Sequence, residues 1–465
     1  MESNSPAADA LGPARIPAAD LAAAIDEPTA KGIAAGVDHL VRTGRLRAGT
    51  ALPTVRALAT ALRMSPTTVA EAWRVLSSAG TIETLGRRGT FVTGWDPTAY
   101  LPDNALGRKA ELLYDLRLAV PEPEFLPDMR RALARAADYV DTGLNEYHAD
   151  QVIGPLVEYA QRTWPFPFQR LTCAYGGYDA LFLLCEVLIK PGRRVVVENP
   201  TSATAIEIIE ALGGEMLPVP CDDKGMLPEQ LRAALAKNPA AVLVQPRCAC
   251  PDGRSLTPAR AKELATAIAK CPAKPVVIED DAIPELAQTP PVTLGTRLPD
   301  QVVHIRGWSK SHGPDLRLAL IGGAADIVER AIGHRQLGAV WTSRLLQGAF
   351  AAMLADAGSR RRVAKAAGEY TRRRELLADA LAARGVPTYA RDGLALWVPV
   401  HDERTALVEL ASHGLGAGPG SRFALPPIPG GDHLRVATSR LRPEDAETVA
   451  DLLAAAGRPR SSRMV

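Results

Sequence analysis

Residues 304–323 read HIRGWSKSHGPDLRLALIGG. A short β-type run ends near Trp308, and a lysine follows between two serines. Gly313-Pro314, an Asp-Leu-Arg and a tail of small residues complete the stretch. The 465-residue chain holds ten lysines against forty-four arginines. A general need for positive charge therefore does not account for Lys310. A lysine differs from an arginine in one useful way: its amine can lose its proton and condense with an aldehyde.

The runs around Lys310 set the architecture. RVVVENP (194–200), AAVLVQP (240–246), PVVIEDD (275–281) and VVHIRGW (302–308) read as short apolar strands. Helical patterns such as TSATAIEIIEALGG and PARAKELATAIAK lie between them. This alternation predicts a mostly parallel sheet covered on both faces. From about residue 346 the chain reads as helical (RRVAKAAGEYTRRRELLADALAARG) and then α+β.

Pyridoxal 5'-phosphate is the commonest aldehyde cofactor in folds of this plan, and it makes further demands. Its pyridine nitrogen needs a carboxylate, which VVIEDDAIPEL offers at a strand end. Its phosphate needs donors. AYGGYDAL (174–181) places Gly176-Gly177 ahead of a helix start, where free N–H groups face an anion. Ser309 and Arg317 add a hydroxyl and a guanidinium. A substrate carboxylate needs a cation, and DHLRVATSR carries Arg435 in a β-type run. Tyr175 and Tyr178 are both candidates to stack on the ring; spacing leaves the choice open.

The N-terminal part has a different character. Residues 1–25 are rich in Ala, Pro and Asp and are expected to form a disordered arm. From Lys31 to Gly94 there are nine Lys/Arg and three Asp/Glu, a net of +6 in a chain whose total is +2. That balance favours a polyanionic partner at this end. IAAGVDHLVRTG, TVRALATALRM and SPTTVAEAWRVLSSAG read as three helices, the last with Ser65 as N-cap and Pro66 at its first position. TIETLGRRGTFVTG reads as two strands around a turn. Helix, helix, helix and hairpin over 26–94 is the plan of a winged helix-turn-helix, which places its recognition helix in the major groove of double-stranded DNA. Ser65, Thr67 and Thr68 on that helix, Arg56 on the one before it, and Arg87 and Arg88 at the wing tip are the candidate DNA contacts. Leu58, Ala59, Val69 and Leu76 read as core. GWDPTAYLPDNALGRK opens a linker over 95–114.

Other classes are disfavoured. The six cysteines (173, 185, 221, 248, 250, 271) are scattered, which is no disulfide framework, and Cys248-Ala-Cys250 lacks zinc-finger company, so no metal is expected. The first residues, MESNSPAADALGPAR, do not read as a signal peptide, and no apolar run is long enough to span a bilayer. These features predict a cytoplasmic protein.

Two resemblances sharpen the reading. GRLRAGTALPTVRALATALRMSPTTVAEAWRVLSSAGTIETLGRRGTFV resembles the DNA-binding domain of the GntR family, with Pro66 where that family usually has an arginine and Arg88 where its wing often has a small residue. SKSHGPDLRLALIGG, YDLRLAVPEPEFLP and IKPGRRVVVENPTSA resemble elements of fold-type I, class I aminotransferases, from about residue 115 to 465. The combination is that of the MocR subfamily of GntR regulators. It implies a winged helix-turn-helix joined to an α/β fold-type I aminotransferase-like effector domain, pyridoxal phosphate as cofactor, and a head-to-tail homodimer. It also implies residue roles. Lys310 would carry the cofactor and Asp280, rather than Asp281, would pair with the pyridine nitrogen. Ser309, Arg317, Gly176, Gly177 and Tyr178 would hold the phosphate, Tyr147 would reach the neighbouring subunit's phosphate, and Arg435 would bind a carboxylate.

The departures bear on function. Ala282 and Ile283 follow Glu-Asp-Asp where the family often has a tyrosine, and Cys250 precedes Pro251 where the aminotransferases have an asparagine. Both family residues contact the cofactor's phenolic oxygen. Their replacement favours a regulator that senses an amine, an amino acid or the cofactor itself. The alternatives are an aminotransferase with a fused DNA-binding domain, and a regulator whose second domain no longer binds the cofactor.

Overall fold

The computed structural model describes residues 15–458 except 26, 43–44, 48, 79–80, 85–88, 93–111, 141–143, 145, 148–150 and 390. The chain divides into two compact units, Met1–Lys109 and Ala110–Val465.

The first unit contains α1 (Ala18–Ala23), α2 (Ala30–Arg42), α3 (Val55–Leu62), α4 (Pro66–Ser78) and an antiparallel hairpin of β1 (Ile82–Thr84) and β2 (Thr90–Val92). The helix ends follow their capping residues. The Thr54 hydroxyl accepts from the Ala57 N–H, and α3 stops at Arg63 in the left-handed conformation. At α4, the Ser65 hydroxyl accepts from the Thr67 N–H at 3.2 Å, as expected of an N-cap. Leu58, Ala59, Val69 and Leu76 are buried together with Leu21, Ile33, Val37 and Trp73.

Within the segment 1–25, expected to be a disordered arm, the described residues take part in this unit's structure. Arg15 bridges to Ala51, and Leu21 and Ile25 are buried in the same core. Leu21 lies in α1 and Ile25 just past its end, an apolar pair that the surrounding Ala and Pro obscure. Residues 1–14 lie outside the described residues, as do Arg87 and Arg88 at the wing tip.

The second unit is built on an eight-stranded sheet. Its strands are β4 (Arg170–Ala174), β5 (Arg194–Asn199), β6 (Glu215–Asp222), β7 (Gly225–Met226), β8 (Ala241–Val244), β9 (Val276–Asp281), β10 (Val302–Gly307) and β11 (Ala319–Gly323), in the spatial order β4-β11-β10-β9-β8-β5-β6-β7. The four strands read from the sequence are neighbours, β10-β9-β8-β5, all parallel. Their apolar runs are continuous because both faces are covered. One face packs Val196, Val242, Val277 and Leu320, and the other Val197, Leu243, Ile278 and Ile305. β11 runs antiparallel between β10 and the edge strand β4, so that β4 is again parallel to this set. Helices α6 (Gly154–Thr163), α7 (Gly177–Leu188), α8 (Ala203–Ala211), α9 (Pro228–Leu235), α10 (Pro258–Ala269) and α11 (Ala325–Arg335) accompany the sheet, and α5 (Met129–Ala134) precedes it.

After α12 (Arg344–Ala355), the 27-residue helix α13 (Ala357–Ala383) leads to a smaller layer. There β12 (Ala395–Pro399), β13 (Leu415–Pro419) and β14 (His433–Ala437) join β3 (Tyr114–Leu116) in the order β12-β14-β13-β3, with α14 (Glu403–Ser412) and α15 (Ala446–Ala456) alongside. Tyr114 pairs with Leu415, so the last residue of the expected linker belongs to this sheet.

Candidate functional site

Four separate segments meet at the carboxyl ends of the parallel strands, where open α/β sheets bind their ligands. Asp280 is the penultimate residue of β9, and Lys310 lies in the turn just after β10. Gly176 is the N-cap of α7, and Arg435 comes from β14 of the smaller layer.

Lys310 is largely enclosed, and its Nζ donates to the Ala119 carbonyl at 2.7 Å. Burial, and then the positive charge of Arg435, hold its amine below the ordinary lysine range. A larger fraction is thus neutral and nucleophilic at a given pH. Arg435 donates to the Arg117 carbonyl at 3.1 Å and lies over the Phe423 ring. Its Nε is buried and, among the described residues, has no acceptor. An unsatisfied guanidinium N–H beside a reactive amine suits a carboxylate-bearing ligand.

Asp280 and Asp281 are adjacent on a strand and so point to opposite faces. Asp281 is taken. Arg247 Nη2 donates to it at 2.7 Å, with both side chains buried. His304 Nε2 lies 3.7 Å away, within reach of its charge but too far for a hydrogen bond. Burial opposes ionisation of Asp281, but these cations hold its carboxyl down to about 2. His304 Nδ1 is 2.8 Å from Glu279, its direct partner across the strands. Burial favours the neutral ring, yet Asp281 and Glu279 together raise it above the ordinary histidine range.

Asp280 has no hydrogen-bond partner among the described residues. Burial, and then the charge of Asp281, push it up to about 7. A buried carboxylate without a partner is costly. A protonated pyridine nitrogen is a group that would relieve it. In the cofactor-free protein the consequence has a definite sign. From about pH 4 to pH 7 the folded state keeps a proton that the unfolded state has lost, so this group makes stability fall as pH rises. We expect Asp280→Asn to remove that contribution. The melting temperature of the variant relative to wild type then climbs between pH 4 and pH 7; a constant difference would mean another group titrates.

Backbone and one arginine form a candidate anion cradle. Gly176 has φ +97°, and a Cβ there would meet the Arg317 guanidinium at 3.2 Å. Arg317 itself is left-handed, with φ +44°, and donates to the Tyr175 carbonyl. The N–H groups of Gly177 and Tyr178 open α7 without acceptors among the described residues, and the helix dipole adds to their pull on an anion. Ser309 adjoins Lys310, and its hydroxyl has no hydrogen-bond partner among the described residues. These groups fit pyridoxal phosphate: a reactive amine, an unpaired carboxylate and an anion cradle converge.

The two tyrosine candidates separate. The Tyr175 hydroxyl donates to the Trp341 carbonyl at 3.0 Å and its ring lies under Arg335. Tyr178 lies near Thr204, Cys250, Asp280 and Arg435, and although the residue is exposed as a whole, burial of its hydroxyl raises the phenol above its ordinary range. It is therefore the one placed to cover a ring in the site. Cys250 is close to both Arg435 and Lys310, and burial raises its thiol. Ala282 is exposed, while Ile283 is buried against Phe125 and Tyr370. Tyr147 stands apart, 80% exposed with its ring edge-on to Trp341. Sequence reasoning missed Arg247 and His304. Their roles depend on which strands are neighbours, and only the Glu-x-Asp spacing of Glu279 and Asp281 hinted at a charged face.

On the first unit, Arg56 and Thr67 are exposed and Thr68 is half-buried. The Ser65 and Thr67 hydroxyls are bonded to each other at 2.8 Å.

Comparison with known proteins agrees with this geometry. Residues 119–453 match the family model for aminotransferase class I and II, and residues 29–92 match that for bacterial regulatory proteins of the gntR family. The chain is 32% identical over 434 residues to the vitamin B6 salvage pathway transcriptional repressor PtsJ of Salmonella typhimurium, covering 92% of this chain and 98% of that protein. It is 27% identical to the HTH-type transcriptional regulator TauR of Rhodobacter capsulatus, covering 87% and 91%. Among solved structures, the kynurenine aminotransferase of Pyrococcus horikoshii superposes with a TM-score of 0.66 at 20% identity, covering 78% of this chain and 97% of that one. The chain belongs to the aminotransferase class I and II family, joined to a gntR-type DNA-binding domain in the arrangement of the MocR regulators.

Proposed function

We propose that this chain is a pyridoxal phosphate-dependent transcriptional regulator. Residues 26–94 bind double-stranded operator DNA, and the domain from 115 to 465 senses an amine, an amino acid or the cofactor itself. The observation that carries the reading is the meeting of Lys310, Asp280 and Arg317 around one space in a chain that also holds a basic winged helix-turn-helix. When bound, the cofactor supplies an aldehyde that amines can condense with. The chain's own groups do the rest. Lys310 offers a depressed amine, Asp280 a carboxylate for the ring nitrogen, and Arg317 with the start of α7 a seat for the phosphate. Arg435, with a free N–H, orients a ligand carboxylate.

With Cys250 and Ala282 at the positions of the aminotransferase asparagine and tyrosine, efficient transamination is disfavoured, and a ligand-sensing use is favoured. The exposed Tyr147 supports a homodimer in which it reaches the partner's phosphate site, in the head-to-tail arrangement. Among the described residues no helix is long and apolar enough to cross a membrane, in keeping with a cytoplasmic regulator.

Sensing requires that the cofactor or ligand bind two conformations with different affinity, and the coupling to DNA is then reciprocal. Fluorescence anisotropy on the gene's own upstream DNA tests it. We expect the affinity of the full chain for that DNA to change about fivefold or more on adding pyridoxal phosphate, and the change to be absent in Lys310→Ala. Equal DNA affinity with and without cofactor and amino acids would leave the second domain without a sensing role.

A further inference from the structure

Behind the Lys310 turn lies a second cavity of about 430 Å³ that contains none of the cofactor-site residues. Its volume is within the range of small-molecule pockets. Tyr159 and Arg162 of α6 line one side, and Arg360, Val363 and Ala364 of α13 another. Glu285 and His312 also line it, from the segments that follow Asp280 and Lys310 in the chain.

Glu285 lies five residues beyond Asp280 and His312 two beyond Lys310. Glu285 Oε1 accepts from the Tyr159 hydroxyl at 2.6 Å, and from Arg306 and Trp308 at 3.4 Å each. Its Oε2 has no hydrogen-bond partner among the described residues, and the side chain is 28% exposed. His312 is 4% exposed. Its Nδ1 lies 2.9 Å from the Ser311 hydroxyl, so Nε2 is the ring's remaining polar atom, and it has no partner among the described residues. Burial holds the ring neutral, with its protonation pushed down to about 4. Arg360 donates through Nη1 to the Leu354 and Ala355 carbonyls, which leaves Nη2 available. The walls between these polar ends are apolar: Pro155, Ala351, Leu354 and Val363.

We propose that this cavity is a second ligand site, distinct from the cofactor site, for a small zwitterion. Its ammonium is received by Glu285 Oε2 and His312 Nε2, its carboxylate by Arg360, and an apolar spacer lies along the wall between them. A free carboxylate oxygen and a neutral imidazole select an ammonium, and a guanidinium at the other end selects a carboxylate. The formal charges lining the cavity, Glu158 and Glu285 against Arg162 and Arg360, cancel, which suits a net-neutral guest. An occupant would touch the backbone segments that carry both Lys310 and Asp280, and also α13, the helix leading to the layer that holds Arg435. The site does not depend on the cofactor reading.

The test is calorimetric titration of the full chain with 6-aminohexanoate, with hexylamine and hexanoate as probes lacking one charge. We expect 6-aminohexanoate to bind and the two single-charge probes to bind at least about tenfold more weakly. Glu285→Gln keeps the Oε1 acceptor but loses the charge and should weaken binding by about tenfold or more. Ala364→Trp, at an exposed position on the rim, should block the cavity while leaving the cofactor's absorption in place. Lys310→Ala should bind the probe like wild type. Binding unaffected by both Glu285→Gln and Ala364→Trp would overturn the proposal, as would no binding at millimolar probe. Loss of probe binding in Lys310→Ala would assign the heat to the cofactor site and overturn it too. The cofactor reading is judged separately, by the visible absorption of the same samples.

Discussion

Replacing Lys310 by alanine should remove the yellow absorption of the cofactor-loaded protein entirely. The visible band of a protein-bound pyridoxal requires a covalent link to an amine, and Lys310 presents the amine enclosed with Arg435, Cys250 and the Ala119 carbonyl. Lys310→Arg should be equally colourless. A guanidinium keeps the charge and the hydrogen bonds but stays protonated in proteins, so it cannot condense. The pair of variants separates chemistry from charge. Neither should unfold the protein. The folded state lowers the Lys310 pKa, so burying this ammonium opposes folding at neutral pH, an opposition that fades as pH rises through the folded-state value. Deleting it leaves the melting temperature equal or higher. Pyridoxal phosphate should still dock in Lys310→Ala through Arg317 and the α7 N-terminus, with weaker affinity, detectable by equilibrium dialysis. A persistent band in the alanine variant would place the reactive amine on another lysine.

How much of this was legible beforehand follows from what each signal depends on. The strands at 194–199, 241–244, 276–281 and 302–307 declare themselves because a two-faced burial demands continuous apolar runs. The order of those strands depends on crossovers that leave no mark in composition. For that reason the Glu279–His304 pairing and the Arg247–Asp281 ion pair were invisible, although they explain why Asp280 is the free carboxylate and Asp281 is not. Lys310, Arg317 and Gly176 were legible because each is an exception to a local rule: a lysine among arginines, a guanidinium after Gly-Pro, a Gly-Gly at a helix start. The helix at 18–23 was missed because Ala and Pro surround its few large apolar residues. Tyr175 and Tyr178 could be told apart only by the direction of their side chains, which turn geometry fixes and spacing does not.

The second large effect belongs to the other unit. Arg56→Glu should reduce affinity for operator DNA by at least about tenfold at ~0.15 M salt, since a cation near phosphates becomes an anion. The fold gives no reason for the loss to be structural. Arg56 is exposed on α3, its side chain has no hydrogen-bond partner among the described residues, and its backbone carbonyl accepts from the Thr60 hydroxyl at 2.9 Å. The helix start is held by Thr54, and Leu58 and Ala59 bury the opposite face. A thermal melt should therefore match wild type. Arg56→Gln distinguishes how the contact works. If Arg56 neutralises one phosphate, the slope of log affinity against log salt becomes shallower by about 0.9, and all DNA sequences lose affinity alike. If it reads a base edge, discrimination at one position relaxes while the slope changes less. Ser65→Ala should act differently again. Its hydroxyl accepts from the Thr67 N–H and bonds the Thr67 hydroxyl, so its loss costs the helix cap about 1 kcal/mol and weakens DNA binding through the placement of α4. Unchanged affinity in Arg56→Glu would move the DNA-binding face away from the start of α3, and with it the recognition role given to α4.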